Sequence, residues 1–171
     1  MISVWDFMFL EGWDWEVRYK GTKLGPGDSF SHKDLRVDGR SYPIAAGMFS
    51  FGHDDAKFTN LKITFDDREY FVSPFFLYTI LGTWTGWLPS FFFVSRYSIT
   101  TDQYAIGTNP LILIPCKKHF EIEIIQPRYS PITGNLLTGT VSAYVFALVF
   151  KITDEDLFME SLRRLLRGEV G

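Results

Sequence analysis

Polar and apolar residues alternate with a period of two along several stretches of the chain. Trp13, Trp15, Val17 and Tyr19 alternate with Asp14, Glu16, Arg18 and Lys20. Thr59, Leu61, Ile63 and Phe65 alternate with Asn60, Lys62 and Thr64, and Phe120, Ile122 and Ile124 with Glu121 and Glu123. Successive side chains of a strand point to opposite faces, so each run predicts a β-strand with one buried apolar face and one wet face. Phe91-Phe92-Phe93-Val94 and the run from Val141 to Ile152 are apolar on both faces, which predicts strands that are sandwiched or lie at an interface. Gly25-Pro26-Gly27-Asp28, Asp66-Asp67, Asn109-Pro110 and Thr133-Gly134-Asn135 are turn signals between runs. Asp38-Gly39 suits the two-residue turn of a hairpin joining Leu35-Arg36-Val37 to Arg40-Ser41-Tyr42. About eight short strands at this spacing predict an all-β sandwich or barrel.

The period changes at both ends. Met1 to Leu10 is apolar with Asp6 inside it and no cation, unlike a secretory leader, and is read as an N-terminal strand or arm over residues 1–12. Over residues 153–168 the spacing becomes helical. Thr153-Asp154-Glu155-Asp156 supplies a cap and acids, and Leu157, Phe158, Leu162, Leu165 and Leu166 form an apolar stripe. Arg163, Arg164 and Arg167 close it before Gly168. That stripe needs a partner surface, either the chain's own barrel or a neighbouring subunit.

The chain has 171 residues, and no linker, repeat or low-complexity segment divides it, so one domain is expected over 1–171. Aromatic residues at 18% exclude intrinsic disorder. The net charge of -3 gives no basic footprint for nucleic acid. Residues 70–95 carry no charge, which is long enough for a membrane span. Pro74, Gly82, Gly86 and Pro89 interrupt that stretch, so it reads instead as two buried strands joined by a Gly/Trp-rich loop. Cys116 has no partner for a disulfide, and Asn and Gln are scarce, which suits a hot source.

No motif specifies a reaction. Cys116 and His119 lack a second pair at zinc spacing, and His53-Asp54-Asp55 reads as a turn. Glu121 and Glu123 share one face of a strand, about 7 Å apart, but alternate with core residues as an outward face does. Asp66, Asp67 and Glu69 form a second acidic cluster. No catalytic residue, metal ligand or cofactor is assigned. Trp84 and Trp87 share a Gly-rich loop, where they suit an apolar interface or a stacking platform for sugars.

The order of segments carries a resemblance. Tyr42-Pro43-Ile44-Ala45-Ala46-Gly47-Met48-Phe49-Ser50-Phe51 is followed by Leu61-Lys62-Ile63-Thr64-Phe65-Asp66-Asp67 and a variable apolar loop. Then come Tyr104-Ala105-Ile106-Gly107-Thr108-Asn109-Pro110, Pro115, Phe120 to Ile125, a Pro/Gly loop and the long strand Val141 to Ile152. Over residues 35–152 this resembles the single jelly-roll small major capsid proteins of membrane-containing icosahedral viruses of the sphaerolipovirus type, which infect thermophilic bacteria and halophilic archaea. The modest net charge departs from the strongly acidic halophilic members.

The resemblance implies a single jelly-roll barrel or sandwich of about eight strands with a C-terminal α-helix. It also implies a structural, non-enzymatic role in the virion, as a subunit that self-assembles into the shell over an internal membrane. The implied partners are further copies, as a homodimer or larger homo-oligomer, a second capsid protein and the internal membrane. The apolar surplus agrees, because obligate interfaces resemble cores. Trp84, Trp87, Phe91, Phe93, Leu157, Phe158, Leu162 and Leu165 are the expected interface residues. The alternatives are a carbohydrate-binding jelly-roll module built on Trp84 and Trp87, and a phage tail or spike accessory domain.

Overall fold

The computed structural model describes residues 2–73, 75–76, 92–98, 103–108 and 113–169, with only the backbone described for 92–98 and 103–108. Among the described residues there are nine strands: β1 (Trp13–Leu24), β2 (Ser29–Asp38), β3 (Ser41–Phe51), β4 (Asn60–Phe65), β5 (Arg68–Val72), β6 (Phe92–Ser98), β7 (Gln103–Thr108), β8 (His119–Ile125) and β9 (Val141–Ile152). One helix, α1 (Glu155–Leu166), follows them. The fold is all-β with a C-terminal helix, as the alternation predicts. The strands form two antiparallel sheets, of order β1-β9-β3-β7-β6 and β2-β8-β4-β5.

The core lies between the sheets. Every second residue of β4 (Leu61, Ile63, Phe65), β8 (Phe120, Ile122, Ile124) and β9 (Val141, Ala143, Val145, Ala147, Val149) is buried there, with Ala46 and Met48 of β3 and Leu35 and Val37 of β2. A period of two thus puts one apolar set inside on β4, β8 and β9.

A second apolar cluster caps one end of the outer face of the five-stranded sheet. The segment expected as an N-terminal strand is instead a 3-10 helix, Val4–Met8. Two features decide this. Ser3 donates both its backbone N–H (2.6 Å) and its hydroxyl (2.9 Å) to the Asp6 carboxylate, which nucleates a turn. Val4, Phe7 and Leu10 also recur every three residues, the 3-10 repeat, which turns all three onto one side. Phe7 stacks on Phe150 with ring centroids 4.0 Å apart and meets Trp13 and Tyr42 edge-on. Helix α1 closes over the same cluster with Phe158, flanked by Leu162 and Leu165. Its N-terminus is capped by Asp154, whose carboxylate accepts the Leu157 N–H at 3.0 Å. The helix expected over 153–168 is therefore present and packs Phe158, Leu162 and Leu165 of its apolar stripe on its own sheet, with Leu157 and Leu166 left exposed.

Two further expectations change. Asp38-Gly39 is a turn, with Gly39 at φ +91°, but not a hairpin. It carries the chain from β2 in one sheet to β3 in the other, and the Gly39 N–H donates to Lys118 O ahead of β8 (2.7 Å). Strand β1 alternates as predicted with its faces reversed. Trp13, Trp15, Val17 and Tyr19 stand over Ile152, Phe150, Leu148 and Phe146 on the outer side, and Asp14, Glu16, Arg18 and Lys20 turn toward the space between the sheets. Because β1 is an edge strand, that space is its open rim, where charges can pair and still reach water. Glu16 pairs with Arg18 and, at 3.4 Å, with Lys151, and Lys20 reaches Asp34 at 3.2 Å.

Candidate functional site

The reversal of β1 leaves an apolar surface on the outer side of the five-stranded sheet. Strand β9 runs down its centre. Its outward residues Tyr144, Phe146 and Leu148 stand opposite Gly21, Tyr19 and Val17 of β1 on one side and Phe49, Gly47 and Ala45 of β3 on the other. The rings interlock: Tyr144 stacks on Tyr19 (5.8 Å), Phe49 (5.3 Å) and Phe51 (5.5 Å). Beyond the second cluster nothing described covers this face. Trp15 is 52% exposed, Val17 70%, Tyr19 57% and Phe146 36%. Contiguous exposed apolar patches on small proteins mark interaction sites, because each such side chain would be more stable out of water.

This is the surface sequence reasoning missed on β1, having placed Trp15, Val17 and Tyr19 inside. A signal was present on β9, where Val141 to Ile152 is apolar on both faces: its odd-numbered residues from Val141 to Val149 fill the core, and Tyr144 and Phe146 stand outside.

Of the expected interface residues, Trp84, Trp87 and Phe91 lie outside the described residues. Phe93 lies on β6 opposite Gly107 of β7. Phe158 is fully buried within its own chain, and Leu162 and Leu165 pack beside it. Leu157 is exposed. The helix thus seats Phe158 on its own fold and leaves Leu157 and Leu166 exposed, and exposed apolar side chains lie on the N-terminal segment (Trp5, Met8, Phe9) as well as on β1 and β9.

The outer face of the four-stranded sheet is polar. Glu121 and Glu123 point outward as the alternation predicts. With Lys62, Thr64, Glu69, Asp66, Asp67, Ser31 and His119 they line a shallow groove of about 280 Å³. Here the two acidic clusters meet, but their charges are answered. Lys62 Nζ lies 2.6 Å from Glu123 and 3.4 Å from Glu69, and its hydrogen bond to Glu123 holds its pKa above the usual lysine value against the effect of burial. Arg36 lies 3.6 Å from Glu121. Asp66, at the β4–β5 turn, accepts the backbone N–H groups of Lys117, Lys118 and His119.

The remaining candidates for chemistry serve the fold. The His53 side chain accepts the Asp55 N–H and caps the 3-10 helix Asp54–Phe58. The Asp55 carboxylate accepts Thr138 and Gly139 N–H. Cys116 is buried, and desolvation, with Asp66 nearby, pushes its thiol up to about 12. Among the described residues no three His, Cys, Asp or Glu side chains are grouped to hold a metal ion, and no helix is long and apolar enough to cross a membrane.

Neither the known protein-family models nor the curated proteins include a match to this chain.

Proposed function

We propose that this chain is a single jelly-roll subunit of an icosahedral viral shell, a structural virion protein that self-assembles over an internal membrane with a second capsid protein. The carrying observation is the pairing of its strands. A jelly roll is an antiparallel ribbon of four strand pairs folded into two sheets. Strands β1–β9, β2–β8, β3–β7 and β4–β5 pair antiparallel in that nested order, and β6 is added beside β7. The exposed apolar face of β1 and β9 supports the assembly half of the reading, since lectins and cupins share the jelly roll and fold alone does not assign a role. The answered charges of the polar face support a role without catalysis.

The test is self-association of the purified chain, followed by sedimentation and electron microscopy as concentration rises. Dimers and then closed or sheet-like particles are expected, promoted by the second shell protein where it is present. A monomer at every concentration reached, alone and with that partner, overturns the reading.

A further inference from the structure

We propose that β1 pairs along its free edge with β1 of a second copy, antiparallel and centred on Val17, joining two five-stranded sheets into one of ten strands. This deepens the assembly reading and rests on it only in taking the partner to be a second copy.

Strand β1 is the outermost strand of its sheet and pairs over all twelve residues with β9, from Trp13 opposite Ile152 to Leu24 opposite Val141, with no register break. About half of its backbone N–H and C=O groups therefore point away from β9, and no described strand hydrogen-bonds to them. Edge strands left to water are usually short, bulged or interrupted by proline. This one is long, regular and free of proline.

Its charges choose both the partner and the register. In a symmetric antiparallel pair, the residue at the centre faces its own copy. Centring on Val17 sets Glu16 against Arg18 and Asp14 against Lys20 of the second copy, opposite in sign at both pairs, beside the pairs Glu16–Arg18, Glu16–Lys151 and Lys20–Asp34 that these charges already make within the chain. On the other face Trp15 meets Tyr19 and Val17 meets Val17. Each neighbouring centre fails. Trp15 sets Asp14 against Glu16, Glu16 and Arg18 meet themselves, and Tyr19 sets Arg18 against Lys20. Like charges directly opposite one another destabilise a strand pair. The inward charges that would otherwise protect an edge here form a self-complementary code.

The Trp15-Val17-Tyr19 row would also continue across the joint, merging the apolar faces of both copies.

The experiment is cysteine cross-linking of the full chain, with Cys116 left in place because it is buried. Residues directly opposite across a strand pair have Cβ atoms about 4.5–5.5 Å apart, close enough for a disulfide after small adjustment. Val17→Cys, at an exposed site, is expected to give a covalent dimer under mild oxidation, reversed by reductant. Lys23→Cys is expected to give none, because its two copies would lie about 40 Å apart. Glu16→Arg should weaken dimerisation at least tenfold, and adding Arg18→Glu should restore it, with unfolding midpoints checking that both variants fold.

A chain that self-associates while Val17→Cys stays uncross-linked overturns this contact and leaves the assembly reading standing. Equal cross-linking of Val17→Cys and Lys23→Cys also overturns it, since random collision would suffice. A Val17→Cys dimer that never grows into larger particles supports the contact and counts against the shell.

Discussion

Gly12 sits directly against Asp154: a Cβ on Gly12 would lie 2.4 Å from the Asp154 carbonyl oxygen and 2.9 Å from the Phe158 nitrogen. The Gly12 carbonyl accepts the N–H groups of Thr153 (2.9 Å) and Asp154 (3.0 Å). One glycine thus joins the N-terminal 3-10 segment, the start of β1 and the cap of α1, with φ +73°. Gly12→Ala is expected to cost at least about 2 kcal/mol, from the left-handed backbone and the clash together. Gly168→Ala is the control. Its φ is similar at +71°, but nothing lies within 4 Å of the added carbon. It should cost about 1 kcal/mol. Denaturant unfolding of both variants checks this, and equal losses would mean that the close approach carries no weight.

The same junction predicts how α1 responds to truncation. Phe158 is fully buried between Phe7 and Tyr42, with ring centroids about 6 Å from each. Phe158→Ala should cost about 3–5 kcal/mol, as for other buried phenylalanines. Leu157→Ala, one residue away on the exposed side, should change stability by less than about 1 kcal/mol. If Leu157→Ala proves as costly, the helix seats on its sheet through a different face.

Alternation along β4 and β8 was legible because each has core on one side and polar residues on the other, so the apolar parity states which way is in, whereas β9 is apolar on both faces and its parity states nothing. On β1 the same logic fails. Alternation gives two faces and not their identity, and assigning the apolar one to the core assumes that no apolar face is left outside. Trp15, Val17 and Tyr19 break that assumption because β1 is an edge whose inner side opens on a solvated rim. Asp38-Gly39 shows a second limit. Local chemistry fixes that the chain turns at Gly39, but pairing of β2 with β8 and of β3 with β9 is decided by contacts about a hundred residues away along the chain. The N-terminal segment was readable in principle, since Val4, Phe7 and Leu10 hold a period of three.

Burial sets the chemistry of Cys116. With its thiol pushed up to about 12 by desolvation and, secondarily, by Asp66, almost no thiolate forms at neutral or mildly alkaline pH. Native protein at pH 8 is expected to react with a thiol reagent at least about a hundredfold more slowly than the same chain in denaturant. Cys116 and Ser41 exchange backbone hydrogen bonds of 2.8 and 2.9 Å, and reaction at comparable rates would show that this bridge opens readily in the native state.

Asp66 predicts an acid-dependent step in stability. It is a non-glycine residue at φ +55°, in the turn between β4 and β5. Burial alone would raise its pKa. The backbone N–H groups of Lys117, Lys118 and His119 outweigh that and hold the carboxyl below its ordinary value. A carboxyl depressed in the folded state contributes stability that is complete above its unfolded pKa, about 3.9. The contribution is lost as pH falls through the lower folded value. Asp66→Asn isolates the charge, because asparagine also tolerates the left-handed backbone. The variant should be less stable by about 1 kcal/mol or more at pH 7. The gap should stay constant down to about pH 5 and narrow below about pH 4 as the wild-type carboxyl takes up its proton. Denaturant titrations of both proteins from pH 7 to pH 3 measure that gap, and a gap of the same size at both ends would show that the side chain holds the β8 approach by shape and not by charge.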